Sequence, residues 1–193
     1  MQKLDRSSLW SLEDYAQRRA AFRAEVIEHK KPRRVALTAN ATMYFEDTLT
    51  IKYQVQEMLR VERIFERAEI EAELEAYNPL IPDGTNWKGT FMFEYPDVEQ
   101  RRRALARMAG IEHRIWLQAA GQARIFAIAN EDLARSTEEK TSAVHFLRFE
   151  LDPATIAALR EGADVKMGID HEAMRCEVTL SDATRRSLIN DLD

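Results

Sequence analysis

The sequence predicts an α+β fold in which a mostly antiparallel sheet of short hairpins packs against a long central helix and several shorter helices. Three observations favour this class. Residues 48–65 have helical periodicity, residues 86–95 alternate between apolar and polar side chains, and three pairs of short apolar runs are separated by turn residues. Only six glycines occur among 193 residues, which favours a sizeable helical content.

The first helix is expected to begin at Ser7 or Ser8 and to end before Pro32, since the residue preceding a proline avoids the helical conformation. A short hairpin follows. It pairs Val35–Leu37 with Met43–Phe45, and leads directly into the central helix.

Asp47 and Thr48 can cap the start of the central helix, which is expected to break or bend near Ala68. At 100° per residue, one apolar face contains Ile51, Val55, Met58, Leu59 and Phe65. Glu62 falls within this face and is therefore predicted to be buried, where an ionised carboxylate needs a partner. A second ridge contains Tyr53, Glu57, Arg60 and Ile64.

The remaining elements follow from alternation and capping. Strands are predicted at Asn86–Tyr95 and Thr141–Leu151, and hairpins pair His113–Ala119 with Gln122–Ala129 and Val165–Ile169 with Met174–Leu180. Helices are predicted from Asp97 to about Met108, after Asp152-Pro153, and after Ser181 or Asp182. Residues 131–139 are expected to form a charged loop or a weak helix.

Composition excludes several classes of protein. With 45% hydrophobic and 32% charged residues, the chain is typical of globular rather than disordered proteins. The single cysteine, Cys176, excludes an internal disulfide and a thiolate metal cage. No run of about 18 apolar residues is present, so no membrane span is predicted. The N-terminal residues lack the apolar core of a signal peptide, and we expect a cytoplasmic protein.

The length favours one domain over residues 1–193. Residues 1–31 form an N-terminal helical segment in this interpretation, and residues 152–193 form a C-terminal β-hairpin and helix appended to the same core. The net charge is −5, although residues 1–34 contain nine Lys/Arg against five Asp/Glu. The acidic remainder makes nucleic-acid binding an unfavoured hypothesis. Residues 29–34, HKKPRR, are either a patch for phosphate or an acidic partner, or a solvated cap of the first helix.

His145 is the most informative histidine because four apolar side chains share its strand face, which predicts burial. It either makes a structural hydrogen bond or takes part in ligand binding or proton transfer. Glu57, Glu62 and His145 are the candidate catalytic residues, and Glu62 and His145 are the candidate metal ligands. Lys140 or Arg148 could instead neutralise Glu62.

The sequence contains no short catalytic motif that identifies a reaction. The sequence has no His-x-x-x-His, no Cys-x-x-Cys, no glycine-rich phosphate loop and no nucleophile elbow. Cofactor and reaction therefore stay unknown at this point. Residues 77–82, YNPLIP, are either a rigid connector between a helix and a strand or the mouth of a pocket.

Two segments resemble a bacterial family filed as a domain of unknown function (number 3501): RRVALTANATMYFEDTLTIKYQVQEMLRVERIFE with YNPLIPDGTN, and EEKTSAVHFLRFEL. The resemblance extends from about Leu9 to Leu159. Genes of that family are commonly placed beside those of rubrerythrin and an iron–sulfur oxidoreductase, so the resemblance implies a rubrerythrin-like or iron–sulfur protein as redox partner. Eleven positions of this chain match the family pattern, and the resemblance assigns no catalytic role to them: Arg34, Glu46, Tyr53, Gln56, Glu57, Arg60, Glu62, Asn78, Lys140, His145 and Arg148.

Two functional hypotheses follow. The first is an accessory or partner protein in a redox or peroxide-stress operon, for which the uneven charge would steer a protein contact. The alternative is a small-ligand-binding or metal-binding enzyme with a buried Glu/Arg/His site. Its ligand-binding candidates are Arg34, Tyr53, Arg60, Asn78, Lys140 and Arg148. A homodimer is compatible with either hypothesis.

Overall fold

The computed structural model describes residues 2–129, 131 and 140–193, and shows the predicted α+β class. The expectation for residues 132–139 lies outside this range. The described α-helices are α1 Leu12–Lys30, α2 Thr48–Glu62, α3 Arg67–Tyr77, α4 Val98–Ala106, α5 Pro153–Arg160 and α6 Asp182–Ile189. The described strands are β1 Arg34–Thr38, β2 Ala41–Phe45, β3 Asn86–Phe93, β4 Ile115–Ala119, β5 Ile125–Phe126, β6 Ile128–Ala129, β7 Val144–Glu150, β8 Val165–His171 and β9 Met174–Thr179.

The strands form two antiparallel sheets. The first sheet has the order β1-β2-β3-β7-β6, and the second has the order β5-β4-β8-β9. All three predicted hairpins pair as expected, although the third turns at residues 172–173 rather than 170–171. The predicted second strand of the middle hairpin is divided, because β5 pairs with β4 whereas β6 pairs with β7 of the other sheet.

The main core contains side chains from both sheets. Strand alternation places one face of β2, β3 and β7 inward, so that Met43, Phe91 and Phe149 are buried together with Leu117 and Met167 of the second sheet. Burying such side chains stabilises each by roughly 1.5–3 kcal/mol relative to exposure. The Trp87 Nε1 atom also donates to the Leu188 carbonyl oxygen at 2.8 Å, which ties α6 to this core.

Helices α2 and α3 form a separate apolar cluster on the other side of the first sheet, and the buried side chains of α1 form a third cluster. Ile51, Val55 and Leu59 of α2 pack with Leu74 of α3 and Ile81 of the connection that follows. The predicted cap at Asp47 is present and is part of a capping box, since the Thr50 amide donates to the Asp47 carboxylate at 2.9 Å. Within the described ranges, no helix is both long and apolar enough to cross a lipid bilayer.

One predicted helix boundary is wrong, and the expected break of the central segment is present. Helix α1 begins at Leu12 after the capping residue Ser11, because residues 6–8 form a separate turn of 3-10 helix capped by Asp5. The break expected near Ala68 lies just before this residue, between α2 and α3. It starts at Arg63, whose left-handed conformation (φ 57°) ends α2.

Candidate functional site

A cleft separates the outer face of the first sheet from α2, α3 and the connection after α3. Its main chamber has a volume of about 520 Å³. The apolar part of the wall includes Met58, Ala76, Tyr77, Leu80 and Phe146. This volume lies within the roughly 300–1,000 Å³ that is usual for small-molecule sites.

Strand alternation explains the composition of the cleft floor. Because Trp87, Phe91 and Phe149 occupy the inner face, the residues between them point outward. Lys88 lies directly opposite Arg148 in the β3–β7 register, and the next outward pair is Thr90 with Phe146. The floor therefore changes from charged to largely apolar over two residues.

Charged side chains occupy one end of the main chamber. The Lys88 ammonium lies 2.6 Å from Asp83 Oδ2 and 2.8 Å from the Pro79 carbonyl oxygen. Arg148 donates from Nε and Nη2 to the two oxygens of Glu131 at 3.0 and 2.8 Å, and also pairs with Glu150. The two cations thus lie at the cleft with carboxylates as their present partners.

A second chamber of about 350 Å³ continues the cleft along the sheet. Tyr77, Leu80 and Phe146 line both chambers. The polar part of the second chamber is formed by Lys30, Tyr44, Glu46, Thr50, Gln54 and Thr90. The two chambers therefore differ in their polar groups but share one apolar wall.

The predicted buried pair of Glu62 and His145 is wrong. Glu62 is exposed at the last turn of α2, and Phe65, predicted on the same buried face, is 70% exposed. The helix ends at Glu62 and Arg63 turns the chain, so the helical period does not continue to Phe65. Glu62 cannot share a buried metal site with a fully buried histidine, and the buried polar centre expected from these two residues is absent.

His145 is fully buried, as its strand face predicted, and its acidic neighbour is Glu112. The His145 Nε2 atom lies 2.8 Å from Thr141 Oγ1 and 3.1 Å from the Ser142 carbonyl oxygen. Thr141 Oγ1 also contacts Glu112 Oε2 at 3.3 Å. This arrangement joins the start of β7 to the segment before β4, and a catalytic role of His145 stays a prediction.

Glu57 and its neighbours form the contact between α1 and α2 rather than part of the cleft. Glu57 accepts from Tyr15 Oη at 2.7 Å and from Arg19 Nε at 2.7 Å, and Arg60 contacts it at 3.2 Å. The Tyr53 ring lies 5.9 Å from the Phe22 ring. The hydrogen bond from Arg19 lowers the pKa of Glu57 to about 2, with further lowering by Arg60 and Tyr15.

Replacing Glu57 with glutamine should lower the free energy of unfolding by about 1–2 kcal/mol at pH 7, because a charged acceptor is lost from a partly buried contact. The pKa is lower in the folded state, so the carboxylate stabilises the fold above about pH 4.5, and this contribution disappears as the pH falls towards 2. Urea unfolding at several pH values measures both effects.

Glu71→Gln is the matched control, since Glu71 pairs with Arg67 on the exposed surface of α3 at 2.9 Å. We expect it to change the free energy of unfolding by less than about 0.5 kcal/mol. A Glu57→Gln loss that stayed constant between pH 7 and pH 2 would contradict the assignment of Glu57 as an ionised bridge between the helices.

The other ligand-binding candidates lie in different places. Arg34 is exposed at the edge strand β1, where it donates to Tyr44 Oη at 3.3 Å. Asn78 exchanges two hydrogen bonds of 2.8 Å with the Leu4 backbone and so anchors the N-terminal segment. Lys140 is exposed at the start of the segment before β7. Of the six ligand-binding candidates, Arg148 is the one that lines the main chamber.

The HKKPRR segment fits the cap interpretation only in part, because His29 and Lys30 lie in the last turn of α1 but the Arg33 side chain is only 2% exposed. Arg33 donates from Nη2 and Nη1 to the two oxygens of Asp191 at 2.5 and 3.2 Å. The Asp47 carboxylate lies 3.4 Å from Arg33 Nε and 2.5 Å from His29 Nε2. The segment therefore joins the end of α1 to the start of α2 and to the C-terminal residues.

Sequence reasoning missed Lys88 as a residue of the cleft. Its position between inward-facing Trp87 and Gly89 did predict an outward side chain, but an outward position on an antiparallel sheet is normally a solvated one. The connector Tyr77–Pro82 was considered as a pocket mouth, and Tyr77, Pro79 and Leu80 do line the cleft. In the described part of the chain, no group of three or more His, Cys, Asp or Glu side chains has a metal-binding arrangement.

Comparison with known proteins gives a family and a fold. A family model described as "Protein of unknown function (DUF3501)" matches residues 3–192. The chain is 48% identical to a Burkholderia pseudomallei protein of unknown function whose crystal structure it matches with a TM-score of 0.95, over 100% of both chains. A comparison with the curated proteins found no match.

Proposed function

The chain belongs to the DUF3501 family of proteins of unknown function, and we propose that it binds a small organic anion in the cleft between the first sheet and α2–α3. The observation that supports this proposal is a chamber of about 520 Å³ with a mainly apolar wall and a guanidinium, Arg148, at one end. Concave apolar sites with a few fixed polar groups are typical of small-molecule binding.

The apolar wall favours a flat or aromatic ligand body. Phe146 projects from the sheet, while Tyr77 and Leu80 come from the opposite side of the cleft. Aromatic side chains on two sides can contact both faces of a planar group, which contributes beyond the burial of apolar area.

Arg148 favours a carboxylate or another planar anion as the polar group of the ligand. Its present partner Glu131 is about half exposed, whereas the Arg148 side chain is 24% exposed. Exposed ion pairs contribute only about 0–1 kcal/mol, so a ligand carboxylate can replace Glu131 at little cost. The replacement would be a bidentate, charge-assisted contact inside a more apolar environment.

Calorimetric titration with 3-phenylpropanoate tests the proposal, with the uncharged 3-phenylpropanamide as the reference ligand. We expect the acid to bind with one site per chain and the amide to bind at least about tenfold more weakly, because the amide loses the charge-assisted contact. Arg148→Met should weaken the binding of the acid by a similar factor.

Arg34→Met is the matched control for this titration, because Arg34 is an exposed arginine of the same sheet that does not line the cleft. It should leave the affinity for the acid unchanged. Equal affinities of the wild-type chain for acid and amide, or no binding of either at millimolar concentration, would overturn the proposal.

A second candidate function is the accessory role beside a rubrerythrin-like or iron–sulfur protein that the family resemblance implies. The observation that favours it is the exposure of two neighbouring apolar side chains, Val61 in the last turn of α2 at 59% and Phe65 between α2 and α3 at 70%. Co-purification from cells of an identified rubrerythrin-like or iron–sulfur protein, lost in a Phe65→Glu variant, would support this role. Retention of the partner by the variant would count against this surface.

A further inference from the structure

The second chamber of the cleft contains a buried carboxylate. Glu46 is only 9% exposed and lines this chamber. Its Oε2 atom accepts from Thr50 Oγ1 at 2.6 Å, and its Oε1 atom accepts from Thr90 Oγ1 at 2.8 Å. Both contacts come from neutral hydroxyl groups, so they orient the carboxylate without neutralising it.

Glu46 differs in this respect from the buried carboxylates of the neighbouring cluster. Asp47 and Asp191 both contact Arg33, whereas Arg33 reaches Glu46 only at its backbone carbonyl oxygen, at 2.9 Å. Among residues 2–129, 131 and 140–193, no Lys, Arg or His nitrogen lies within 4.0 Å of the Glu46 carboxylate.

A buried carboxylate without a cation is costly, because the surroundings solvate the charge less well than water does. A cationic group that entered the second chamber would offset this cost and gain a charge-assisted hydrogen bond. This inference rests on the proposed function of the cleft. We propose that the ligand carries both charges: its anionic group contacts Arg148, and a protonated amine at its other end contacts Glu46.

The register of the sheet gives the spacing between the two ends. Lys88 is paired with Arg148 on one side, and its carbonyl oxygen accepts from the Glu46 amide at 2.9 Å on the other, so Arg148 and Glu46 flank β3 on opposite sides. Two spacings between neighbouring strands amount to about 10 Å. Phe146, paired with Thr90, provides apolar surface for the body of the ligand between these polar groups. A ligand with an aromatic or short aliphatic body between amine and acid fits this spacing.

Two acids that differ only by an amine test the inference: 3-phenylpropanoate and 3-[4-(aminomethyl)phenyl]propanoate. We expect the aminomethyl compound to bind the wild-type chain about tenfold more tightly, since close charge pairs at buried positions couple strongly. Glu46→Gln should remove this advantage, so that the two compounds bind the variant with similar affinity. Arg148→Met should weaken the binding of both compounds.

Glu94→Gln is the matched control, because Glu94 also accepts from two hydroxyl groups of the same sheet, Thr42 at 2.6 Å and Tyr44 at 2.9 Å, but does not line the cleft. It should retain the preference for the amine. If 3-phenylpropanoate binds but the amine adds no affinity, or if Glu46→Gln keeps the full advantage, this inference fails and the proposed function stands. If neither compound binds, the proposed function fails as well.

Discussion

Replacing Arg33 with methionine should lower the free energy of unfolding by about 3–5 kcal/mol at pH 7, because removing one member of a buried ion pair leaves its partners without a counter-charge. Arg33 holds Asp191 by two hydrogen bonds and lies 3.4 Å from Asp47. It also donates to the carbonyl oxygens of Phe45 and Glu46, at 3.1 and 2.9 Å. The variant therefore leaves several buried hydrogen-bond acceptors without their donor. Urea unfolding with linear extrapolation measures the loss.

The loss should be smaller at pH 5 than at pH 7. Burial raises the pKa of Asp191 to about 6, against the opposing effect of Arg33, and the charge of Asp47 adds to the rise. Because this pKa exceeds that of the unfolded chain, the contribution of Asp191 to stability is present at low pH and is lost as the pH rises through about 6. Above about pH 6 the Asp191 carboxylate is ionised and depends on Arg33 for its counter-charge, so the loss of stability in Arg33→Met is then largest.

Arg34→Met is the control variant, because Arg34 follows Arg33 in the sequence but is exposed on the edge strand β1. We expect it to change the free energy of unfolding by less than about 0.5 kcal/mol. If Arg33→Met proved as mild as this control, or if its effect did not vary between pH 5 and pH 7, the buried cluster would not have the charges described above.

Replacing Gly89 with alanine should lower the free energy of unfolding by about 3 kcal/mol, because the added methyl group overlaps the neighbouring strand. A Cβ atom at this position would lie 2.5 Å from Met43 Cε and 2.6 Å from the Tyr44 carbonyl oxygen. The carbonyl belongs to the backbone of β2, so the strand itself must move. Thermal or urea unfolding of the variant measures the cost.

Gly121→Ala separates this steric effect from the general cost of losing a glycine. Gly121 has φ +77° and no atom within 4 Å of an added Cβ, so only the strain of the left-handed conformation remains, about 1 kcal/mol. If the two substitutions cost the same, close contact between β2 and β3 at Gly89 would not be a determinant of the fold.

Local patterns in the sequence predicted most of the secondary structure because each depends on a few neighbouring residues. Alternation gave β3 and β7, and capping residues such as Asp97, Asp152 and Ser181 gave the starts of α4, α5 and α6. The burial of His145 followed from alternation in the same way. These features need no knowledge of which elements meet in space.

The site was predicted less well because it depends on contacts between distant elements. Glu62 was assigned to a buried face on the assumption that the helical period continues, but Arg63 ends α2. Arg33 was expected at a surface, since a run of cations gives no sign of Asp191, which lies at the other end of the chain. The cleft itself forms because α2 and α3 lie over outward residues of a sheet, and strand alternation cannot show that such residues are covered.

The most direct test is a crystal structure of the protein with 3-phenylpropanoate at a concentration that saturates the calorimetric titration. The proposal predicts the aromatic ring between Phe146 and Leu80, with the carboxylate within about 3 Å of the Arg148 guanidinium and Glu131 displaced. A ligand bound elsewhere on the chain, or one inside the cleft whose carboxylate points away from Arg148, would contradict it.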